Sequence, residues 1–402
     1  MADEPRAVGK YRILTLNQIS SQGLHRFPAA RYAVGKAVDE PDAIILRSHD
    51  MHAMTIPASV RAIGRAGAGT NNIPVTEMSK RGIPVFNAPG ANANAVKELV
   101  LTALLLAARN VIPALAYVAG LDPAATDLEK QVEDGKKKFA GVELPQRTLG
   151  IIGLGAIGSL VADTALKLGM KVIGYDPELT VEAAWRLPSS VRKANSIDEV
   201  LKQSDYVTLH VPLLAATRHL IDTKRIALMK HGAVLLNFAR DALVEQAAVI
   251  SALREHRIKG YICDFPAAAS LREPGVIALP HLGASTAEAE ENCAIMVVDE
   301  VREYLEHGTI VNAVNFPNVE MPRESRSRVA IANANVPNML GQISTTMAQA
   351  GLNIHNMVNK SRGEMAYTLV DVDSPVGDDV VASIAAIVGV LSVRAIPLGS
   401  DT

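Results

Sequence analysis

Thr148–Gly158 reads T-L-G-I-I-G-L-G-A-I-G: an apolar strand runs into Gly153, Gly155 and Gly158, and a helical pattern follows from Ala156 to Leu168. A G-x-G-x-x-G string alone is weak evidence. Here it stands between a strand and a helix, and the next strand, Lys171–Tyr175, runs into Asp176. Each part has a physical task. Gly153 makes the tight turn, Gly155 lets the backbone approach a pyrophosphate, and Gly158 permits close packing of helix on strand. The first helical residues, Ala156, Ile157 and Gly158, carry amide protons without intrahelical partners, which suits phosphate oxygens. Asp176 is expected to accept from the adenosine ribose hydroxyls. With no Arg or Lys close behind it, the cofactor indicated is NAD rather than NADP.

Outward from this fingerprint, short apolar runs alternate with helical patterns, the mark of an α/β fold with parallel sheets. Upstream, strands are expected at Arg12–Leu16, Ala43–Leu46, Arg61–Gly64 and Pro84–Phe86, then one long apolar helix from Ala93 to about Val118. Downstream they are expected at Tyr206–His210, Ala233–Asn237, Ile258–Asp264 and Val276–Leu279, followed by a helix from Thr286 to His307. Asn315–Ser327, with two prolines, reads as a linker. Beyond it, strand, helix, strand, strand, helix, strand fill 328–398, the split βαβ arrangement of a ferredoxin-like domain.

The expected organisation is therefore two doubly wound Rossmann-like domains plus a small ferredoxin-like module. A discontinuous substrate domain takes 1–97 and 284–314, the nucleotide domain 98–283, the linker 315–327 and the C-terminal module 328–402. A length of 402 residues suits two or three cores.

Apolar residues make up 49% and charged residues 20%, and the net charge is −2, so nothing points to disorder or to nucleic acid. The two cysteines, Cys263 and Cys293, give neither a disulfide framework nor a zinc spacing, and no metal is expected. The N-terminus, M-A-D-E-P-R-A-V-G-K, lacks the apolar run of a secretory signal. The longest charge-free apolar stretches, Leu99–Ala108 and Val380–Val393, fall short of the ~20 residues a bilayer needs. A soluble, cytoplasmic protein is expected.

Two residues offer a proton acceptor and a cation. His281, after a buried strand, can take a hydroxyl proton and return it in reverse. Arg240, on the turn after Ala233–Asn237, can clamp a carboxylate at two points and polarise the reacting oxygen. Together with the fingerprint, three segments resemble the D-isomer-specific 2-hydroxyacid dehydrogenases: H-V-P-L-L-A-A-T at His210–Thr217, L-N-F-A-R-D-A-L-V-E at Leu236–Glu245, and P-H-L-G-A-S-T at Pro280–Thr286.

That resemblance implies that Asp264 holds the nicotinamide carboxamide. Phe238, Ala239, Gly283 and Ala284 would border the ring, and His210, Val211, Pro212 and Thr217 would lie along the cofactor; His210 reads equally well as a packed strand-end residue. It implies a substrate side in L-R-S, G-R-A-G-A-G and N-A-P-G-A-N. There Arg47 and Ser48 would face the phosphate and carboxylate end, amides near Gly67 would bind carboxylate oxygens, and Asn92 would orient its loop. The cofactor cleft would lie between the domains.

Two departures stand out. The Glu that the family sets behind the catalytic His falls on Ala268, with Glu273 the nearest later candidate in a different register. The glycine usual after the Arg is Asp241.

The C-terminal module resembles an ACT domain, a regulatory fold that commonly binds amino acids at dimer interfaces. Asn333, Asn335 and Asn353 are its candidate ligand residues, since amides both donate and accept, while Asn338 reads as a helix cap. The resemblance implies L-serine as ligand and a homodimer or homotetramer, although Asn333 stands where the pattern usually has His. The rivals from the same fold are a hydroxypyruvate or glyoxylate reductase and a non-catalytic NAD-sensing corepressor. Lys136–Lys138, the one basic triplet, reads as a solvated face or a rim that attracts phosphate.

Overall fold

The computed structural model describes residues 10–397, so the N-terminal reading on 1–9 and the last residues of the C-terminal module, 398–402, lie outside it. The chain forms two compact units, Met1–Asn92 with Ala287–Thr402, and Ala93–Thr286.

The second unit holds a seven-stranded parallel sheet. Its spatial order is Val276–Ala278, Ile258–Cys263, Ala233–Asn237, Tyr206–Leu209, Thr148–Ile152, Lys171–Tyr175, Arg192–Lys193. The direction of winding reverses between Thr148–Ile152 and Tyr206–Leu209. In doubly wound sheets ligands sit at the carboxyl ends of the strands at such a point. The central strands are buried on both faces, which is why they read as unbroken apolar runs.

In the first unit a five-stranded parallel sheet runs Tyr32–Gly35, Tyr11–Thr15, Ala43–Leu46, Ala62–Arg65, Val85–Asn87. Its order reverses beside Ala43–Leu46, so Arg47 leaves the sheet at that switch point. The helix Ala287–His307 lies tightly on it: a Cβ on Gly64 would come within 2.8 Å of Val297 and 2.9 Å of Val301.

The same unit carries an antiparallel sheet ordered Ile354–Arg362, Met365–Val372, Ser327–Ala334, Val390–Pro397, with helices Met339–Gln349 and Asp378–Ala385. This is the expected split βαβ arrangement. Strand alternation gives it two apolar faces. Val329, Ile331, Val370 and Val372 meet its own helices, while Ala330, Ala332, Tyr367 and Leu369 join Tyr304, Leu305 and Phe316 of the parallel-sheet part. Polar side chains of this sheet also close the end of the helix Ala287–His307. Arg328 donates to the carbonyl of His307, Tyr367 to that of Gly308 and Arg394 to that of Tyr304. Arg328 is itself buried against Asp371 in a two-point ion pair at 2.6 and 2.9 Å.

Several expectations are corrected. The segment expected as a linker is packed, with Phe316 and Val319 fully buried and Asn315 bonded to Val85, Ser79 and Ile83. The long apolar helix is two helices, Ala93–Arg109 and Val111–Ala119, bent by 67° at Asn110, whose φ of 50° is left-handed. The second of them buries none of its side chains, and Leu115 is 61% exposed. Among the described residues no single helix is long and apolar enough to cross a membrane. Lys136 and Lys137 pair with Glu133 and Asp134 on their own exposed helix, which fits a solvated face.

Candidate active site

Gly153 has φ 95°, a value that favours glycine, and a Cβ there would lie 2.5 Å from the carbonyl of His210. At Gly158 a Cβ would lie 2.0 Å from the carbonyl of Gly153, so the helix could not otherwise sit so close to its strand. Beside Gly155 a Cβ would meet nothing within 4 Å, and no side chain caps the helix that starts there. The cradle is thus open outward from the backbone, with the amides of Ala156, Ile157 and Gly158 unclaimed by a capping side chain. These residues fit a dinucleotide pyrophosphate. Asp176 ends the adjacent strand, and its carboxylate accepts from the amides of Leu154 at 2.8 Å and Glu178 at 3.0 Å. It therefore shapes the turn as well as offering charge.

Across the switch point, Thr217 closes the loop after Tyr206–Leu209 by accepting from the amide of Leu214 and donating to the carbonyl of Pro212, both at 2.7 Å. His210 contacts Thr208 Oγ1 through Nε2 at 3.0 Å, its Nδ1 is buried without a partner, and burial drives its pKa down to about 3. It is a neutral, packed strand-end residue.

Arg240 lies on an extended turn, exposed, with Nη1 donating to the carbonyl of Ala239 at 2.6 Å. No carboxylate among the described residues forms an ion pair with it, and the side chain is exposed. The turn is braced by Asn237, fully buried, which donates to the carbonyl of Arg240 at 2.9 Å and accepts from the amide of Ala239 at 3.2 Å. Sequence reasoning passed over Asn237; its signal was a polar residue ending the otherwise apolar strand A-V-L-L-N. Asp241 turns away to accept from Gln246.

His281 is exposed on the loop after Val276–Ala278, with a left-handed φ of 57°. Backbone strain of this kind in a non-glycine residue persists where surroundings over-determine it. Here Asp264, 1% exposed, supplies the constraint. Its carbonyl accepts from the His281 amide, and its carboxylate oxygens accept from Leu282 and Gly283. Phe265 packs on the imidazole with ring centroids 5.0 Å apart. Burial raises the Asp264 pKa, while the two amides and His281 pull against it. Its role in this structure is to anchor the loop.

The relay position is empty of carboxylate: Ala268 is exposed on a turn. Glu273 is held by both Nε and Nη2 of Arg254, at 3.0 and 2.7 Å, which keeps it below the usual carboxylate range. It is not free to serve His281.

On the first unit, the carbonyl of Arg47 is held by Arg65 Nε and Asn72 Nδ2, both at 3.1 Å. Ser48 is exposed beside it. Gly67, with φ 153°, leaves room for the Arg65 guanidinium, which a Cβ would meet at 2.0 Å. Asn92 directly precedes the helix Ala93–Arg109.

In the C-terminal module the structure separates the three candidates within one chain. Asn333, in the strand Ser327–Ala334, and Asn335, just past its end, lie near each other: Asn335 bonds to Gly363 and Glu364, and Asn333 keeps its Oδ1 buried without a partner. Asn353 lies at the opposite sheet end: Asn333 pairs with Ala366, whereas Ile354 pairs with Val372, six residues along the same strand and roughly 20 Å away.

Known proteins are similar to this chain over most of its length. The profile described as D-isomer specific 2-hydroxyacid dehydrogenase, NAD binding domain, matches residues 111–283. A D-3-phosphoglycerate dehydrogenase of Haemophilus influenzae is 35% identical over 83% of this chain and 80% of its own length. One from Methanocaldococcus jannaschii is 34% identical over 83% of this chain, which spans 62% of that longer relative. A crystal structure of a glyoxylate reductase from Paecilomyes thermophila is 26% identical, covering 76% of this chain and 98% of its own, with a TM-score of 0.62.

Proposed function

Because the chain belongs to the D-isomer-specific 2-hydroxyacid dehydrogenases, an NAD-binding family, we propose that it oxidises D-3-phosphoglycerate to 3-phosphohydroxypyruvate, the first step of L-serine biosynthesis. The observation that carries this reading is that a guanidinium with no carboxylate partner among the described residues, Arg240, and an imidazole, His281, both stand on turns at the carboxyl edge of the dinucleotide sheet. Arg240 clamps the substrate carboxylate and polarises the oxygen at C2. His281 takes the C2 hydroxyl proton in oxidation and returns it in reduction. Bound NAD would supply the hydride acceptor, held by the glycine turn and Asp176. Arg47 faces the phosphate.

The domain division that goes with this is a substrate domain of 1–97 and 284–314, an NAD domain of 98–283 and a regulatory module of 328–402. In the module, an amino-acid site with L-serine as first candidate needs two copies of the chain, since only a second copy could bring an Asn353 to an Asn335. The exposed apolar helix Val111–Ala119 also supports a homodimer or homotetramer. Two free buried cysteines suit a reducing cytoplasm.

The second reading is a reductase of hydroxypyruvate or glyoxylate, favoured by the glyoxylate reductase among the structural neighbours. Reduction of phosphohydroxypyruvate, hydroxypyruvate and glyoxylate with NADH, compared by kcat/KM, decides between them. No turnover of any would leave the NAD-sensing corepressor. Arg240→Lys keeps the charge but loses the planar fork, and should lower kcat/KM by at least ~2 kcal/mol of transition-state binding. Near-full activity in that variant would remove Arg240 from the clamp.

A further inference from the structure

Arg47 already has an anion. Glu290 Oε1 sits 2.6 Å from its Nη1, with the two side chains 32% and 43% exposed. Neither end is loose. The Arg47 backbone is pinned by Arg65 and Asn72, and Glu290 stands in the first turn of the helix Ala287–His307. The positive end of that helix favours an ionised carboxylate there. One turn on, buried Cys293 feels Arg47, Arg65 and Glu290 together, so the four groups form one cluster. Partial exposure means that solvent, and so a soluble anion, can reach the pair.

We propose that Glu290 is a resident counter-ion of Arg47 that the phosphate of an incoming 2-hydroxy or 2-oxo acid must displace, so that the pair sets how tightly the phosphorylated end is held. The proposal rests on reading Arg47 as the residue that faces the substrate's anionic end. A singly charged acid commits its carboxylate to Arg240 and brings no anion to Arg47, so it leaves the short, charge-assisted contact with Glu290 closed. A phosphate dianion brings a second charge and further acceptor oxygens to the Arg47–Arg65 side, so the exchange becomes favourable.

The test is Glu290→Gln in the full chain, which keeps the shape and removes the charge, with Glu290→Asp as the charge-retaining control. Inorganic phosphate titrated by calorimetry should bind about fivefold or more tighter to Glu290→Gln. With NADH, kcat/KM for phosphohydroxypyruvate should rise about fivefold, and those for hydroxypyruvate and glyoxylate should change little, so the ratio between them widens by the same factor. In an Arg47→Met background Glu290→Gln should change nothing. Unchanged phosphate affinity and an unchanged substrate ratio would overturn the proposal. So would weaker binding of every anion, because Glu290 would then be a strut that holds Arg47 in place. If the wild type reduces none of the three acids, the proposed function fails, while the phosphate titration still reads the Glu290–Arg47 exchange on its own.

Discussion

Asp264 Oδ2 accepts the backbone N–H of Gly283 at 2.7 Å, and through this bond the strand Ile258–Cys263 dictates the path of the loop that presents His281. The second oxygen takes Leu282 at the same distance. A buried carboxylate is well matched to two convergent amides, and no other side chain of this size offers two acceptors and no donor. Asp264→Asn would set an NH2 group against one of those amides, at a cost of about 1–3 kcal/mol. If the loop relaxes accordingly, kcat/KM should fall roughly 10- to 100-fold. Steady-state kinetics with an unchanged rate would show that the loop holds its shape without this anchor.

Asp176 carries two tasks that a pair of variants can separate. Its charge should repel the 2′-phosphate of NADP, so the wild type should prefer NAD by more than about tenfold. Its Oδ2 also holds the Leu154 amide in the glycine turn. Asp176→Asn keeps an acceptor for that amide and should chiefly improve NADP. Asp176→Ala loses both and should weaken the two cofactors, NAD the more. Equal use of NAD and NADP by the wild type would contradict the assignment.

Glu273, engaged at both oxygens by Arg254, should have no part in proton transfer. Glu273→Gln should therefore leave the pH profile of the reductive kcat/KM in place. Reduction draws its proton from His281. A carboxylate placed beside the imidazole would favour its protonated form, so Ala268→Glu should carry the reductive kcat/KM to higher pH than the wild type. A wild-type profile that collapses only in Glu273→Gln would mean that the relay survives through that residue.

Glu300 introduces a pH dependence of stability unrelated to catalysis. It is 8% exposed, its Oε1 accepts from Asn312 at 2.6 Å, its Oε2 has no partner, and burial pushes its pKa from 4.5 up to about 8. Below pH 4.5 both folded and unfolded states keep the proton and the group contributes nothing. Between 4.5 and 8 the unfolded chain releases the proton while the folded chain retains it, so stability falls with rising pH, levelling off above 8. Glu300→Gln should raise Tm at alkaline pH, by an amount on the order of a few kcal/mol in stability, and should do little near pH 4. Calorimetry at both ends of the range checks this. An equal effect at acid and alkaline pH would show that Glu300 does not titrate in the folded protein.

What could be read from the sequence follows from how each element is stabilised. Ala43–Leu46, Lys171–Tyr175 and Ala233–Asn237 end where their apolar runs end, because strands of a parallel sheet are covered on both faces. Tyr32–Gly35 and Arg192–Lys193 escaped notice. They are short outer strands, partly or wholly exposed, and owe their form to one neighbour rather than to a hydrophobic pattern. The bend at Asn110 was hidden because apolar residues continue on both sides; the Asn itself, tolerant of left-handed backbone, was the one signal. At the site, Arg240, His281 and the glycine turn were legible as motifs. Their supports were not: that Asp264 meets the amide of Gly283, or Glu290 the fork of Arg47, depends on contacts between residues far apart in the chain.

The closure of the helix Ala287–His307 by Arg328, Tyr367 and Arg394 bears on how such a protein can be remodelled. A helix leaves its last carbonyls short of partners, and here they are completed by side chains from the antiparallel sheet of the same unit. The C-terminal module is therefore not a portable cassette. Cutting the chain before Ser327 would strand the carbonyls of His307 and Gly308, leave that of Tyr304 with the Gly308 amide alone, and bare the rings of Tyr304 and Phe316 to water. Grafting in another module would succeed only if it carried donors in matching register for that helix end. A chimaera joined at this seam would inherit a misfit in the dehydrogenase body itself, however well the new module folded.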